Sequence, residues 1–294
     1  MFRFICTFIF LLSLLLSVTA CSGLSDSSDS AIDFQSLYQS EINPNFVQEM
    51  QASSTANVVF DASLEEILHM LTDQGWAKVY PAIFGKDTGI SLTTCMDTAR
   101  GGQFTSVPET YPDGAWYTYD DESCDYGCMA SEYIYWGAST MIGAQAQAAR
   151  AESISNEWSL STRDEVVASD NCLATLLTND TYKLPNLAAH LPDGTYAGST
   201  LTVVSTMPSF MPAVWDEDVT KAVYVFNIPI IAATGVSDAS LLHAGSVMAK
   251  YLDRNEDGTP DHQDVVDSIV TNQGSVLMAE TEEAFELLME AAFD

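Results

Sequence analysis

Basic side chains are scarce in this chain. Ten Lys and Arg face 41 Asp and Glu, for a formal net charge of −31. A nucleic-acid partner needs a basic face to displace the counterions of the phosphates, and so few cations can hardly supply one. Anionic lipid is disfavoured for the same reason, and the acidity is most simply read as solubility. Only four histidines are present, so imidazole chemistry has few places to sit. No G-x-S-x-G elbow occurs, which removes the serine hydrolases built on that turn. The glycines of "ARGGQF" lack both a P-loop lysine and the Rossmann spacing, so the stretch reads as a turn. No internal repeat and no linker-like interruption divides the chain after about Phe46, and a single globular domain over 46–294 is expected.

Long apolar runs are absent as well, except at the start. "MFRFICTFIFLLSLLLSVTAC" has a basic start at Arg3 and an apolar run from Phe4 to Val18. That run is short for a membrane span and suits the h-region of a signal peptide. Val18, Thr19, Ala20 and Cys21 resemble the lipobox of bacterial lipoproteins. The resemblance implies a signal peptide over 1–20, cleavage before Cys21, acylation of its thiol and a membrane anchored through that lipid. Ser22, where an aspartate would retain the protein at the inner membrane, points by the same resemblance to the outer membrane. "SGLSDSSDSAID" has almost nothing to bury, and a flexible tether over 21–45 follows.

Once Cys6 leaves with the signal and Cys21 takes the lipid, Cys95, Cys124, Cys128 and Cys172 remain in an exported body, where disulfides persist. Four cysteines allow three connectivities. "CDYGC" lacks the second Cys or His pair of a zinc site. Two disulfides are expected, Cys124 with Cys128 closing a tight turn and Cys95 with Cys172 tying distant segments.

Residues 253–264, "DRNEDGTPDHQD", put an oxygen donor at nearly every second position and a glycine at the sixth. Such crowding of like charge is tolerated in a fully solvated turn or around a cation. The side chains of Asp253, Asn255, Asp257 and Asp261, the carbonyl of Thr259 and the closing Asp264 resemble the calcium loop of the EF-hand family over about 30 residues. The resemblance implies a helix-loop-helix over 238–272 that takes Ca²⁺. Pro260 and Asp264 depart from the family. Proline cannot pair with a partner loop, so a lone loop is implied, and aspartate is shorter than the usual closing glutamate, so the implied affinity is modest, of order 10⁻⁴ to 10⁻³ M.

A second constellation is "EEILH". On a helix, Glu65 and His69 lie one turn apart on one face with Glu66 beside them. The arrangement resembles the HExxH helix of zinc peptidases with the first histidine replaced by glutamate. It implies Glu65 and His69 as Zn²⁺ ligands, Glu66 as the general base, and a third ligand from Glu132 in "SEYIYW" or from His243. An acid and histidine pair on a half-buried helix explains Glu65 and His69 equally well. His190 and His262 read as surface residues. Trp116, Tyr117, Tyr119, Tyr126, Tyr133, Tyr135 and Trp136 are either a disulfide-capped core or, if exposed, a platform for carbohydrate. A carbohydrate or protein ligand stays open, and oligomeric state is not legible.

The pattern predicts a helix at "DASLEEILHML" capped by Asp61 or Ser63, a long buried helix at "MASEYIYWGASTMIGAQAQAARAESI" and a C-terminal helix at "ETEEAFELLMEAAF". Strands are predicted at "STLTVVST" and "KAVYVFNIPIIAA". The sum is a helix-rich α+β domain. Its leading function is an exported, lipid-anchored protein with a structural calcium loop; the alternative is a zinc-dependent, peptidase-like hydrolase.

Overall fold

A computed structural model describes residues 34–53 and 57–293. The predicted signal peptide, Cys21 and the first part of the tether lie outside the described residues. The body is mixed: many helices surround one four-stranded sheet of order β1-β4-β3-β2. Strands β1 (Phe34–Tyr38), β2 (Val219–Val225), β3 (Ile228–Ala233) and β4 (Ser275–Ala279) come from both ends of the chain.

β2 and β3 form the hairpin expected from "KAVYVFNIPIIAA". Their antiparallel register runs from Val225 opposite Ile228, with Phe226 and Asn227 at φ 49° and 70° in the two-residue turn. Positive φ at both turn positions matches the twist of the flanking strands. β4 lies parallel between β1 and β3 and all five of its residues are buried. A strand covered on both faces loses polar alternation. For that reason "SVLMA" carries no period-two signal and was not anticipated.

The tether expectation requires correction, because residues 34–45 hold β1 and a 3-10 turn at Gln39–Glu41. Parallel pairing with β4 orders a segment whose own composition would leave it loose. The strand expected at "STLTVVST" shrinks to one bridge, Val204 with Ala222.

The helices used below are α1 (Phe46–Ala52), α2 (Ser63–Leu71), α3 (Ser91–Ala99), α4 (Tyr126–Met141), α5 (Ala148–Ser153), α6 (Arg163–Ser169), α7 (Asn171–Thr178), α8 (Asp238–Leu252), α9 (Gln263–Thr271) and α10 (Glu282–Phe293). α2 starts where Asp61 Oδ1 accepts the Ser63 amide at 3.2 Å and the Ser63 hydroxyl at 2.8 Å. Every residue of α2 is buried, and the helix packs on β1, β4, α4 and α8. The long helix predicted across 129–154 is interrupted. α4 ends at Met141, Gly143 takes φ 92°, and α5 begins only at Ala148. No helix among the described residues is long and apolar enough to cross a membrane.

Both disulfides form as expected, Cys95 with Cys172 and Cys124 with Cys128. The first ties α3 to α7 and the second closes the turn into α4. Between them the aromatic cluster is core and not an exposed platform: Tyr117, Tyr119, Tyr126, Tyr133, Tyr135 and Trp136 are all buried. Asp170 organises it, accepting the Tyr133 hydroxyl at 2.6 Å and the Trp116 indole N–H at 2.8 Å while capping the Leu173 amide at 3.0 Å. Burial of a carboxylate is tolerable only with such a full set of donors.

α4 and α7 approach each other at Gly137, where a Cβ would stand 2.2 Å from Leu173 Cδ2 and 3.0 Å from its Cγ. Leu173 is itself fully buried and cannot swing away. Gly137→Ala should therefore cost about 1–2 kcal/mol, overpacking outweighing the better helix propensity of alanine. Chemical denaturation read by circular dichroism checks the loss, and an unchanged or raised midpoint would contradict this packing.

Candidate metal centre

The hydrophobic face of α2 faces inward, yet the helix also carries Glu65, Glu66 and His69 into the interior. α4 packs against it and brings Glu132 to the same place. One oxygen of Glu65, one nitrogen of His69 and one oxygen of Glu132 lie within 4.8 Å of one another. His69 Nε2 stands 3.5 Å from Glu132 Oε1 and 3.9 Å from Glu65 Oε1. These separations exceed hydrogen-bond length. Among the described residues, both ring nitrogens of His69 and Oε1 of Glu132 have no hydrogen-bond partner. Relative exposure is 7% for Glu65, 2% for His69 and 2% for Glu132.

An acidic cluster shut away from water holds protons unusually tightly. Burial pushes Glu132 up to about 8, with His69 pulling the other way. Glu66 also rises to about 8, through burial first and the charge of Glu65 second. For His69 burial favours the neutral ring, but the negative charges of Glu132, Glu65 and Glu66 prevail and raise it to about 10. Proton sharing is one way to neutralise this cluster. A divalent cation is the other, since imidazole and carboxylate oxygens are both ligands of zinc and related ions.

Glu66, the expected general base, is the acidic residue that does not join the three. Its Oε2 accepts the Gln35 side-chain amide of β1 at 2.5 Å. The ordered β1 therefore positions that carboxylate. His243, the other expected third ligand, is elsewhere, with Nε2 2.6 Å from Asp61 Oδ2. The capping acid of α2 and a histidine of α8 thus form a separate buried pair.

Supports of the centre that residue patterns did not reveal are Tyr135, Gln145 and Arg150. The Tyr135 ring centre lies 5.3 Å from that of His69, and its hydroxyl receives Gln145 Nε2 at 3.2 Å and an Arg150 nitrogen at 3.4 Å. Arg150 Nε also donates to Gln145 Oε1 at 2.8 Å. The one sequence signal was spacing: Glu132 and Tyr135 are three apart and share a face of α4.

The 253–264 loop is laced by its own hydrogen bonds. Helices α8 and α9 flank it and Gly258 turns sharply at φ 87°. Asp253 is fully buried; its Oδ2 accepts Gly258 N at 2.8 Å and the Tyr196 hydroxyl at 2.5 Å. Asn255 Nδ2 donates to Asp257 Oδ2 at 3.0 Å, and Asp257 Oδ1 accepts Thr259 N at 2.9 Å. Asp261 turns to Arg254, accepting its Nε at 2.8 Å and its backbone N–H at 2.9 Å. Asp264 is exposed in the first turn of α9. Among the described residues, three acidic or histidine side chains gather within ligand reach of one another only at Glu65, His69 and Glu132.

Beside this loop lies a cavity of about 310 Å³ lined by Asn186, His190, Arg254, Asn255 and Asp261 among others. His190, expected at the surface, lines it. Its Nδ1 accepts the backbone N–H groups of Asn186 and Leu187 at 3.1 and 3.2 Å. Burial, followed by the positive charge of Arg254, lowers its pKa to about 4. The folded chain thus keeps this ring neutral where the unfolded chain, at about 6.5, takes up a proton. This contribution to stability is intact above about pH 6.5 and is lost as pH falls towards about 4. His190→Asn should flatten that part of a melting-temperature profile recorded across this range; an identical slope in the variant would exclude His190 as its source.

No protein-family model, curated protein or solved structure matches this chain.

Proposed function

We propose that this chain is a metalloprotein whose Glu65, His69 and Glu132 hold one divalent transition-metal ion, with zinc suited to the donor set. The observation that carries this is the convergence of three ligand atoms on two packed helices, with both His69 nitrogens and Glu132 Oε1 unpartnered in the interior. Buried polar atoms are nearly always paired, and those that are not call for a missing partner. Here one orphaned nitrogen of His69 and the orphaned Oε1 of Glu132 are potential ligands at one centre.

Hydrolysis is the chemistry these residues support best. Structural zinc sites are closed by four ligands, usually with cysteine, whereas catalytic sites offer three ligands and keep one position for water. Both disulfides consume the cysteines of the body, and the centre offers three N and O donors. A bound zinc ion would act there as a Lewis acid and activate water. Glu66, next to the first ligand and raised to about 8, suits a group that takes up and returns a proton near neutrality. Gln35 holds it in place, and Tyr135, backed by Gln145 and Arg150, fixes the wall beside His69.

The purified chain, loaded with zinc and dialysed, should retain one equivalent by elemental analysis. His69→Ala and Glu132→Gln should each weaken binding at least about tenfold, the lower end of what loss of even an indirect support costs. Retention of one tight equivalent by the double variant would refute the assignment.

Calcium in the 253–264 loop is a second reading, favoured by Gly258 at the turn and by the two flanking helices. It requires Asp261 to leave Arg254. Asp257→Ala should lower the melting temperature in millimolar calcium and change it little in chelator; equal losses in both would count against a bound ion. We also read the chain as exported and lipid-anchored, for which the two disulfides are the support within the described body, since such bonds persist in oxidising compartments.

A further inference from the structure

The glycine turn "ARGGQF" contains a residue that the metal centre does not use. Arg100 directly follows α3 and is completely buried. Its Nη1 donates to the Phe104 carbonyl at 2.8 Å, which locks the guanidinium under the following loop. The Phe104 and Tyr111 ring centres stand 5.4 and 5.6 Å from Cζ and meet each other edge to face. Gly101, at φ 74°, and Gly102, where a Cβ would be 3.0 Å from the Phe104 ring, let the loop fold back this closely.

Among the described residues, Nε and Nη2 of Arg100 have no hydrogen-bond partner. These two nitrogens form the side-on fork with which a guanidinium takes a carboxylate through two parallel hydrogen bonds. A fully buried charge left without a counter-charge is among the more destabilising features a fold can contain. Among the described residues no acid bonds to this fork. Asp97, one turn back on α3, is turned aside to the Tyr126 hydroxyl, 3.0 Å from each of its oxygens. Tyr111 is committed too, donating its hydroxyl to the Tyr119 carbonyl at 2.5 Å.

We propose that the Nε and Nη2 fork of Arg100, walled by Phe104 and Tyr111, is the binding site for a small carboxylate. A planar monoanion with two acceptor oxygens matches the two parallel donors, and it brings a negative charge onto the fork itself, which Asp97 reaches only through space. The aromatic rings leave their faces to the guanidinium and set the size limit, which favours the smallest carboxylates. Gly101 and Gly102 are the points at which the covering loop would yield to admit the ligand.

Formate is the probe. Over a sodium formate titration of the whole chain, the melting temperature should rise by about 3–6 °C at tenfold excess over Kd and continue with the logarithm of concentration, and Arg100→Gln should remove the rise. Arg100→Lys, which keeps the charge but loses the fork, should weaken it. Because the glutamine variant removes a core group and its folding is not assured, a second readout uses the unaltered protein. The formate proton should show nuclear Overhauser effects to the ring protons of Phe104 and Tyr111. A formate response of equal size in Arg100→Gln, or saturable binding with no transfer to those rings, would overturn the site.

Discussion

Burial of acids against one histidine at the contact of α2 and α4 is the constraint on which the rest depends. Glu65, Glu66, His69 and Glu132 are all withdrawn from water, and an ionised carboxylate in that setting must find a proton, a donor or a cation. Glu66 finds Gln35, and that bond reaches from α2 to β1. Glu65 is held by the Tyr135 hydroxyl, while among the described residues both nitrogens of His69 and Oε1 of Glu132 have no hydrogen-bond partner. An apolar core of similar volume would be the simpler solution on stability grounds alone.

The surrounding fold serves to hold that contact. β4 lies parallel between β1 and β3, so segments from opposite ends of the chain form one sheet beneath α2. On the other side the Cys95–Cys172 bond joins α3 to α7, and Asp170 binds two aromatic rings and the start of α7 at once. Tyr135 belongs to the same helix as Glu132 and touches His69 through its ring. The aromatic core and the centre are therefore one packed unit, and α4 is their shared element. Arg100, at the edge of that unit, presents the opposite problem, a buried cation whose Nε and Nη2 meet no acid at hydrogen-bond distance among the described residues.

Residues close in the chain proved the most readable. The i,i+4 relation of Glu65 and His69 follows from helical geometry alone, and the turn Cys124–Cys128 from short spacing. The β2–β3 hairpin was visible in its β-branched density. Elements that depend on distant partners were not. β1 has the composition of a tether and becomes a strand only because β4 offers it an edge. Asp261 has the spacing of an ion ligand, and its Oδ2 accepts Arg254 Nε at 2.8 Å, a partner the spacing does not reveal. Gly143 breaks what pattern reading joined into one helix, because an apolar run shows no polar face at which to mark the end.

The sequence by itself determined a strongly acidic chain, the four body cysteines and the acid-histidine pair one turn apart, because composition and helical period need no fold. Tertiary structure alone decided that Glu132 and not His243 completes that pair, and that Glu66 is held by β1. It also left Arg100 with an empty fork. Each of those outcomes is a matter of which helix face meets which neighbour, and that is set by the balance of packing across the whole core, which no local stretch encodes.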